Sequence, residues 1–282
     1  MSDPREPSIS LTAGAASAAP DAGAAGASRA PRSPYDDPEL YDLVFREFDM
    51  DLEFWRALAR AARGPVLELG CGSGRLTLPM LEAGADVDGL DSSRPMLARL
   101  EEKARPRGFT PRLVLGDMRD FTMPRRYALI AITFNAFLHN LTSEAQLATL
   151  RCCREHLEPG GALVMHVSFF SARILVDSGT GPVLELETVH PVTGHTLRLY
   201  DSRTMDPVAQ IQHSINEIHE VDAGGAVISV TRSESTVRWI YRPELELLLG
   251  LAGYTRWEIL GDFNRRPMTS ENDQMIVFAW KD

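Results

Sequence analysis

The sequence predicts an α/β protein: a doubly wound, mostly parallel sheet with an antiparallel β cap inserted after its fifth strand. Three observations predict it. Between residues 65 and 170, short Val/Leu/Ile-rich runs alternate with stretches of helical period, the pattern of βαβ units. Between Val183 and Tyr241 the period drops to two, the mark of half-buried strands. The chain has 282 residues, 44% of them hydrophobic, enough for one large core.

The elements follow in order. "DPELYDLVFREF" begins with a capping Asp37 and Pro38 at the first helical position. "DLEFWRALARAA" is a second helix, with Leu52, Trp55, Leu58 and Ala59 on one face. "PVLEL" is the first strand, followed by a glycine turn and a helix, "GRLTLPMLEAG", closed by Gly84. "DVDGLD" is the second strand and "RPMLARLEEKA" the next helix. "PRLVLGD" and "YALIAITF" are strands three and four, "SEAQLATLRCCREHL" a helix, and "GALVMHVSFF" the fifth strand. Right-handed crossovers between such strands place a ligand crevice at their carboxyl ends. The cap, residues 183–241, contains "VLELETV", "HTLRLYD", "QIQHSINEIHEV" and "AVISVTRSESTVRWIY", and should cover that crevice. Helix "RPELELLLGLAG" and strands "TRWEILGDF" and "QMIVFAW" complete a Rossmann-like domain over 35–282.

Residues 1–34 are rich in Ala, Gly, Ser and Pro and poor in large apolar side chains, so they read as a disordered tail. Asp21 and Pro20 interrupt any signal-like run, and no stretch has the length of a membrane-spanning helix. A net charge of −10 argues against a nucleic-acid or membrane partner; homo-oligomerisation stays open. Cys71, Cys152 and Cys153 show no metal-ligand spacing, so no metal is expected, and reduced thiols in a cytoplasmic protein are.

The chemistry starts at "VLELGCGSGR", residues 66–75. A dinucleotide fingerprint needs its third glycine at the sixth position of G-x-G-x-x-G, which here is Arg75. Glu68 stands two residues before Gly70. A pyrophosphate about 4 Å from its carboxylate would meet roughly 4 kcal/mol of repulsion per charge pair at an effective dielectric of 20. The turn therefore suits a cationic nucleoside, such as S-adenosylmethionine with its amine and sulfonium, better than a phosphate.

These residues resemble the first motif of class I S-adenosylmethionine-dependent methyltransferases. The resemblance implies cofactor contacts from Glu68, Gly70, Cys71, Gly72 and Gly74. It implies Asp91, 17 residues after Gly74, on the ribose hydroxyls with Ser92 beside it, and Met96 against the adenine. In "GDMRDF" it implies Asp117 on the adenine amino group with Met118 beside the ring. Phe134, closing the fourth strand, completes the set. "LEPGGALVM" is similar to that family's loop and fifth strand.

On the acceptor side, "NAFLHNL" resembles a stretch of glycine N-methyltransferases, and antibiotic amino-sugar N,N-dimethyltransferases carry a histidine at the same offset. The resemblance implies Asn135 as substrate binder, His139 as active-site base and Tyr41, in "ELYDLVF", as a tyrosine closing over the sulfonium. "LGDFNRRP" is a second echo, and Arg173 is a shifted counterpart of a carboxylate-gripping arginine. Phe169, Phe170, Tyr200, Arg238, Trp239 and Tyr241 are candidate pocket aromatics and cap residues. The expected activity is methyl transfer to a small molecule, most readily an amine. O-methylation of a hydroxyl or carboxylate is the alternative. An inactive cofactor-binding module and a nicotinamide oxidoreductase, disfavoured by Arg75, are readings of other classes.

Overall fold

The computed structural model describes residues 32–282 except 172, 173, 176, 177, 180 and 271–273. Two helices come first, α1 (Pro38–Val44) and α2 (Leu52–Ala61). The Asp37 side chain caps α1 by accepting from the Leu40 N–H, which satisfies one orphan donor of the first turn. β1 (Val66–Leu69), α3 (Thr77–Glu82), β2 (Val87–Asp91), α4 (Arg94–Ala104), β3 (Leu113–Leu115) and β4 (Tyr127–Ile132) follow, then α5 (Ser143–His156) and β5 (Leu157–Ser168). Ser93 and Thr142 cap α4 and α5 through the Met96 and Ala145 N–H groups. The cap is β6 (Val183–Val189), β7 (Thr196–Asp206), β8 (Ile211–Val221) and β9 (Val227–Arg238). α6 (Arg242–Leu251), β10 (Arg256–Leu260) and β11 (Gln274–Trp280) end the fold.

The main sheet has the order β10-β11-β5-β4-β1-β2-β3. β3, β2, β1, β4 and β5 run parallel, while β11 is antiparallel to both β5 and β10. All four residues of β1 are buried, as a strand covered on both faces requires. The two faces carry separate clusters. Ile130 and Ile132 of β4 pack with α5 and α6, whereas Leu129 and Ala131 pack with Trp55, Ala59 and Met80 of α2 and α3. The expected doubly wound sheet is therefore present.

The cap forms its own antiparallel sheet in sequence order, as the period-two pattern requires. Two boundaries differ from expectation. The helix after the glycine turn starts at Thr77 and not at Gly74, because Gly74 has φ +87°, outside the helical region. The last three residues of the expected tail, 32–34, are also part of the described fold. Arg32 pairs with Ser233 at the edge of β9, and Ser33 caps a 3₁₀ turn over Pro34–Asp36. Residues 1–31 lie outside the described residues.

Candidate active site

A cavity of about 790 Å³ opens at the carboxyl ends of β1, β2 and β4, within the usual range of small-molecule sites. Its far wall is the inner face of the cap. Thr231, Ser233, Ser235 and Val237 line it at every second position of β9, joined by Leu199, Asn216 and Ile218. That alternation turns Tyr200 and Arg238 away. Tyr200 packs on His219, and Arg238 pairs with Glu244, Gln146 and Gln210. Trp239 stacks on Phe170 with ring centroids 4.0 Å apart, and Tyr241 sits edge-on to Phe169 and Phe170. None of these six residues lines the cavity; Tyr200 packs within the cap, and the other five join the end of the cap to the core. "LGDFNRRP" forms the β10–β11 connection, with Phe263 against Phe54 and His166, and lines no part of the cavity. Arg173 lies outside the described residues.

The glycine turn forms the cavity floor. Gly70, Gly72 and Gly74 all have positive φ, which a side chain would strain. They differ in what surrounds them. A Cβ on Gly70 would come 2.7 Å from that of Ala136, and one on Gly74 would come 2.2 Å from Leu100 Cδ1. Gly74 therefore lets α4 pack beneath the turn and does not face the cavity. Gly72 has nothing within 4 Å of a Cβ and borders the cavity, leaving its backbone open to a ligand. The Cys71 side chain points into the core against Gly89, so its expected cofactor contact does not come from the thiol. Arg75, which breaks the dinucleotide spacing, holds Asp51 with a two-pronged ion pair of 2.6 and 2.7 Å and lies over Phe134. It anchors the turn to the start of α2.

Glu68 departs most from expectation. It is absent from the cavity wall, and its two carboxyl oxygens accept from the Thr77 and Thr133 hydroxyls. Burial pushes its pKa up to about 7, against the opposing pull of the two threonines and Arg75. A carboxyl sealed below the floor cannot act as the charge at the lip of the turn that sequence reasoning assigned to it. The Thr133 hydroxyl stands between it and the ligand space.

The carboxylate that faces the cavity beside the glycine turn is Asp91. Its Oδ2 accepts from the Gly72 N–H at 2.7 Å and its Oδ1 from the Ser93 N–H at 2.8 Å. Two of its roughly four lone-pair positions stay open, enough to accept the two hydroxyls of a ribose. Burial raises its pKa, and the N–H donors oppose that rise. Ser92, Met96 and Met118 line the same region. These groups suit an adenosine: a vicinal acceptor, two apolar thioether side chains for a flat base, and bare backbone at Gly72. Asp117 is at the rim, but Arg119 takes both of its oxygens, which holds its pKa low. Its adenine contact would have to share that pair.

Beyond β4 the chain makes a turn in which Phe134 and Asn135 both have positive φ, +47° and +65°. Side-chain-bearing residues adopt this region only when their surroundings hold them. Phe134 packs edge-on to Phe45 and Phe48. Asn135 donates to Ser168 Oγ at 2.9 Å and accepts from the Ser168 N–H at 2.6 Å, tying β4 to β5. It lines the cavity, yet both ends of its amide are engaged. Tyr41 borders the cavity near Tyr35 and Phe45, and burial pushes its pKa up to about 12.

His139 projects into the cavity, where its ring is accessible, and protein surrounds it closely enough for desolvation to lower its pKa. The Thr236 main chain and Asp91 oppose that shift. The Nε2 atom lies 2.7 Å from the Tyr35 hydroxyl, which donates when Nε2 carries the lone pair. Tyr35 was missed in the sequence because it directly follows the low-complexity tail. A signal was present: "SPYDD" carries a capping serine and an aromatic residue just before α1. Its segment bridges both walls, since Arg32 O accepts from the Glu234 N–H and Tyr35 O accepts from Ser93 Oγ. Asn140, also missed, donates to Met118 Sδ and to the Phe137 carbonyl.

The chain is similar to known proteins. Residues 66–161 match a family model described as a methyltransferase domain, a span that holds the glycine turn, Asp91, Asp117 and His139. Cypemycin N-terminal methyltransferase of a Streptomyces species is 29% identical over 252 residues, covering 86% of this chain and 96% of the relative. The structure of the CcbJ methyltransferase from Streptomyces caelestis superposes with a TM-score of 0.64 at 28% identity, covering 83% of this chain and 90% of that one. A third relative is dTDP-3-amino-3,4,6-trideoxy-alpha-D-glucopyranose N,N-dimethyltransferase of Streptomyces venezuelae. It is 32% identical over 143 residues, covering 48% of this chain and 58% of the relative. Residues 66–161 are thus a methyltransferase domain, and along most of its length the chain is similar to methyltransferases.

Proposed function

We propose that this enzyme methylates the nitrogen of a small-molecule amine, with His139 as the base. The observation that carries this reading is the pairing of His139 Nε2 with the Tyr35 hydroxyl at the cavity wall. The cavity's carboxylates are already engaged: Asp37 in capping α1, Asp91 at the turn, Asp117 with Arg119. His139 is a cavity side chain whose neutral form is a base, and desolvation favours that form. Two of the relatives have names that fit methylation at nitrogen, one an N-terminal methyltransferase of cypemycin and one an N,N-dimethyltransferase of an amino sugar.

S-adenosylmethionine supplies a methyl group on a sulfonium centre that is already a good leaving group. What this chain adds is position and proton removal. Asp91 would hold the ribose, and Met96 and Met118 the base. Tyr41 and Phe134 would border the methyl-bearing end, and the cap would exclude water. Holding nucleophile and methyl carbon in line contributes roughly 7–11 kcal/mol. An ammonium has no lone pair, so neutral His139 would take its proton on the ring nitrogen away from Tyr35, in the tautomer whose Nε2–H donates to the Tyr35 hydroxyl. Asn135 would support the acceptor side through its tie to Ser168. The reduced, buried cysteines agree with a cytoplasmic location.

The test is incubation with methyl-labelled S-adenosylmethionine and an extract of small molecules, followed by isolation of the labelled product. The label is expected on nitrogen. Label on oxygen, or none on any compound, would overturn the proposal.

A further inference from the structure

Charge is distributed unevenly around the cavity. Its carboxylates, Asp37, Asp91 and Asp117, all belong to the core side, and the cap contributes none. The cap's inner face offers instead the hydroxyls of Thr231, Ser233 and Ser235 and the Asn216 amide. Next to them stands Arg32. Its main chain is pinned to β9 by the bridge to Ser233 and by the Glu234 N–H to Arg32 O bond of 2.8 Å. Its side chain is half-buried on the cavity wall and makes no hydrogen bond or ion pair with the described residues. Three other arginines near the cavity are matched: Arg75 with Asp51, Arg119 with Asp117, Arg238 with Glu244. A partly desolvated guanidinium is costly unless an anion joins it, and its planar fork suits a carboxylate or a phosphoryl group.

We propose that Arg32 is a specificity-determining residue that binds an oxyanion, carboxylate or phosphoryl, carried by the methyl acceptor. This rests on the reading that the acceptor enters on the cap side. The neighbouring hydroxyls complete the site as donors. Arg232 also borders the cavity and is exposed. Strand alternation sets it on the opposite face from Thr231 and Ser233, beside its cross-strand partner Glu217, so it serves as the control.

The experiment is calorimetric titration of the full-length protein saturated with S-adenosylhomocysteine, so that the nucleoside part of the cavity is filled. Inorganic pyrophosphate and succinate are the two probes and separate phosphoryl from carboxylate preference. Binding of at least one probe is expected, weakened about tenfold or more in Arg32→Gln, as loss of one charge-assisted pair predicts. Arg32→Lys should recover part of it, and Arg232→Gln should bind as wild type does. No binding of either probe, equal binding by Arg32→Gln, or an equal loss in Arg232→Gln would each overturn the assignment. The titration reads anion capture and not methyl transfer, so its outcome is independent of whether nitrogen is the acceptor atom.

Discussion

Replacing Glu68 by Gln should make the protein's stability less dependent on pH, by an amount the structure sets. Burial raises the Glu68 pKa from 4.5 to about 7, although two threonine hydroxyls bond to it. The folded state therefore binds this proton more tightly than the unfolded state does. The stabilisation is fully present below pH 4.5 and is lost as pH rises through 7. One pH unit below the folded pKa about one unit of the effect remains, worth roughly 1.4 kcal/mol, and by pH 8.5 almost none does. Gln fills the same space, exchanges hydrogen bonds with both threonines and does not titrate. Urea unfolding of both ligand-free proteins at pH 6 and pH 8.5 measures the difference while avoiding precipitation near the isoelectric point of about 5.2. The stability gap should move by about 1.4 kcal/mol in favour of Gln at the higher pH. An unchanged gap would mean that Glu68 is ionised at both pH values and that the buried, neutral-leaning carboxyl is wrong.

His139→Ala should lower turnover by about 10²–10⁴-fold with little change in S-adenosylmethionine affinity, measured by steady-state kinetics and calorimetry. In the wild type the His139 pKa is lowered, so the free base persists down to a pH below 6.5. The rate should fall as pH drops through that value, and the variant should lose this limb of the profile. Asp91→Ala should weaken S-adenosylhomocysteine binding by about tenfold or more in a titration, since two ribose bonds to a carboxylate disappear. Gly74→Ala should cost about 3 kcal/mol of unfolding free energy, because its φ of +87° and the 2.2 Å approach to Leu100 leave no room for a methyl group.

Most of the fold was legible because its strands and helices announce themselves by period. "RPMLARLEEKA" and "QMIVFAW" coincide with α4 and β11 residue for residue. Asp91, Met96 and Met118 were implied by the family resemblance, and all three border the cavity. Glu68 was misread for a physical reason. Its position at the strand end was right, but the sequence does not reveal that threonines 9 and 65 residues away would cover both oxygens. The cap failed similarly. Its strands were visible, but choosing the inward set needs the register between strands, which depends on packing against the core. Tyr35 escaped because its partner, His139, lies 104 residues further along the chain.

The segment from Arg32 to Tyr35 clasps the cap at one end and α4 at the other, and between these grips it carries the hydroxyl that steadies His139. Any motion that parts the two walls to admit or release a ligand must loosen one of those grips. If His139 is the base, a parting at the α4 grip would carry the Tyr35 hydroxyl off with the cap, so opening the cavity at that end would also loosen the hold on the imidazole.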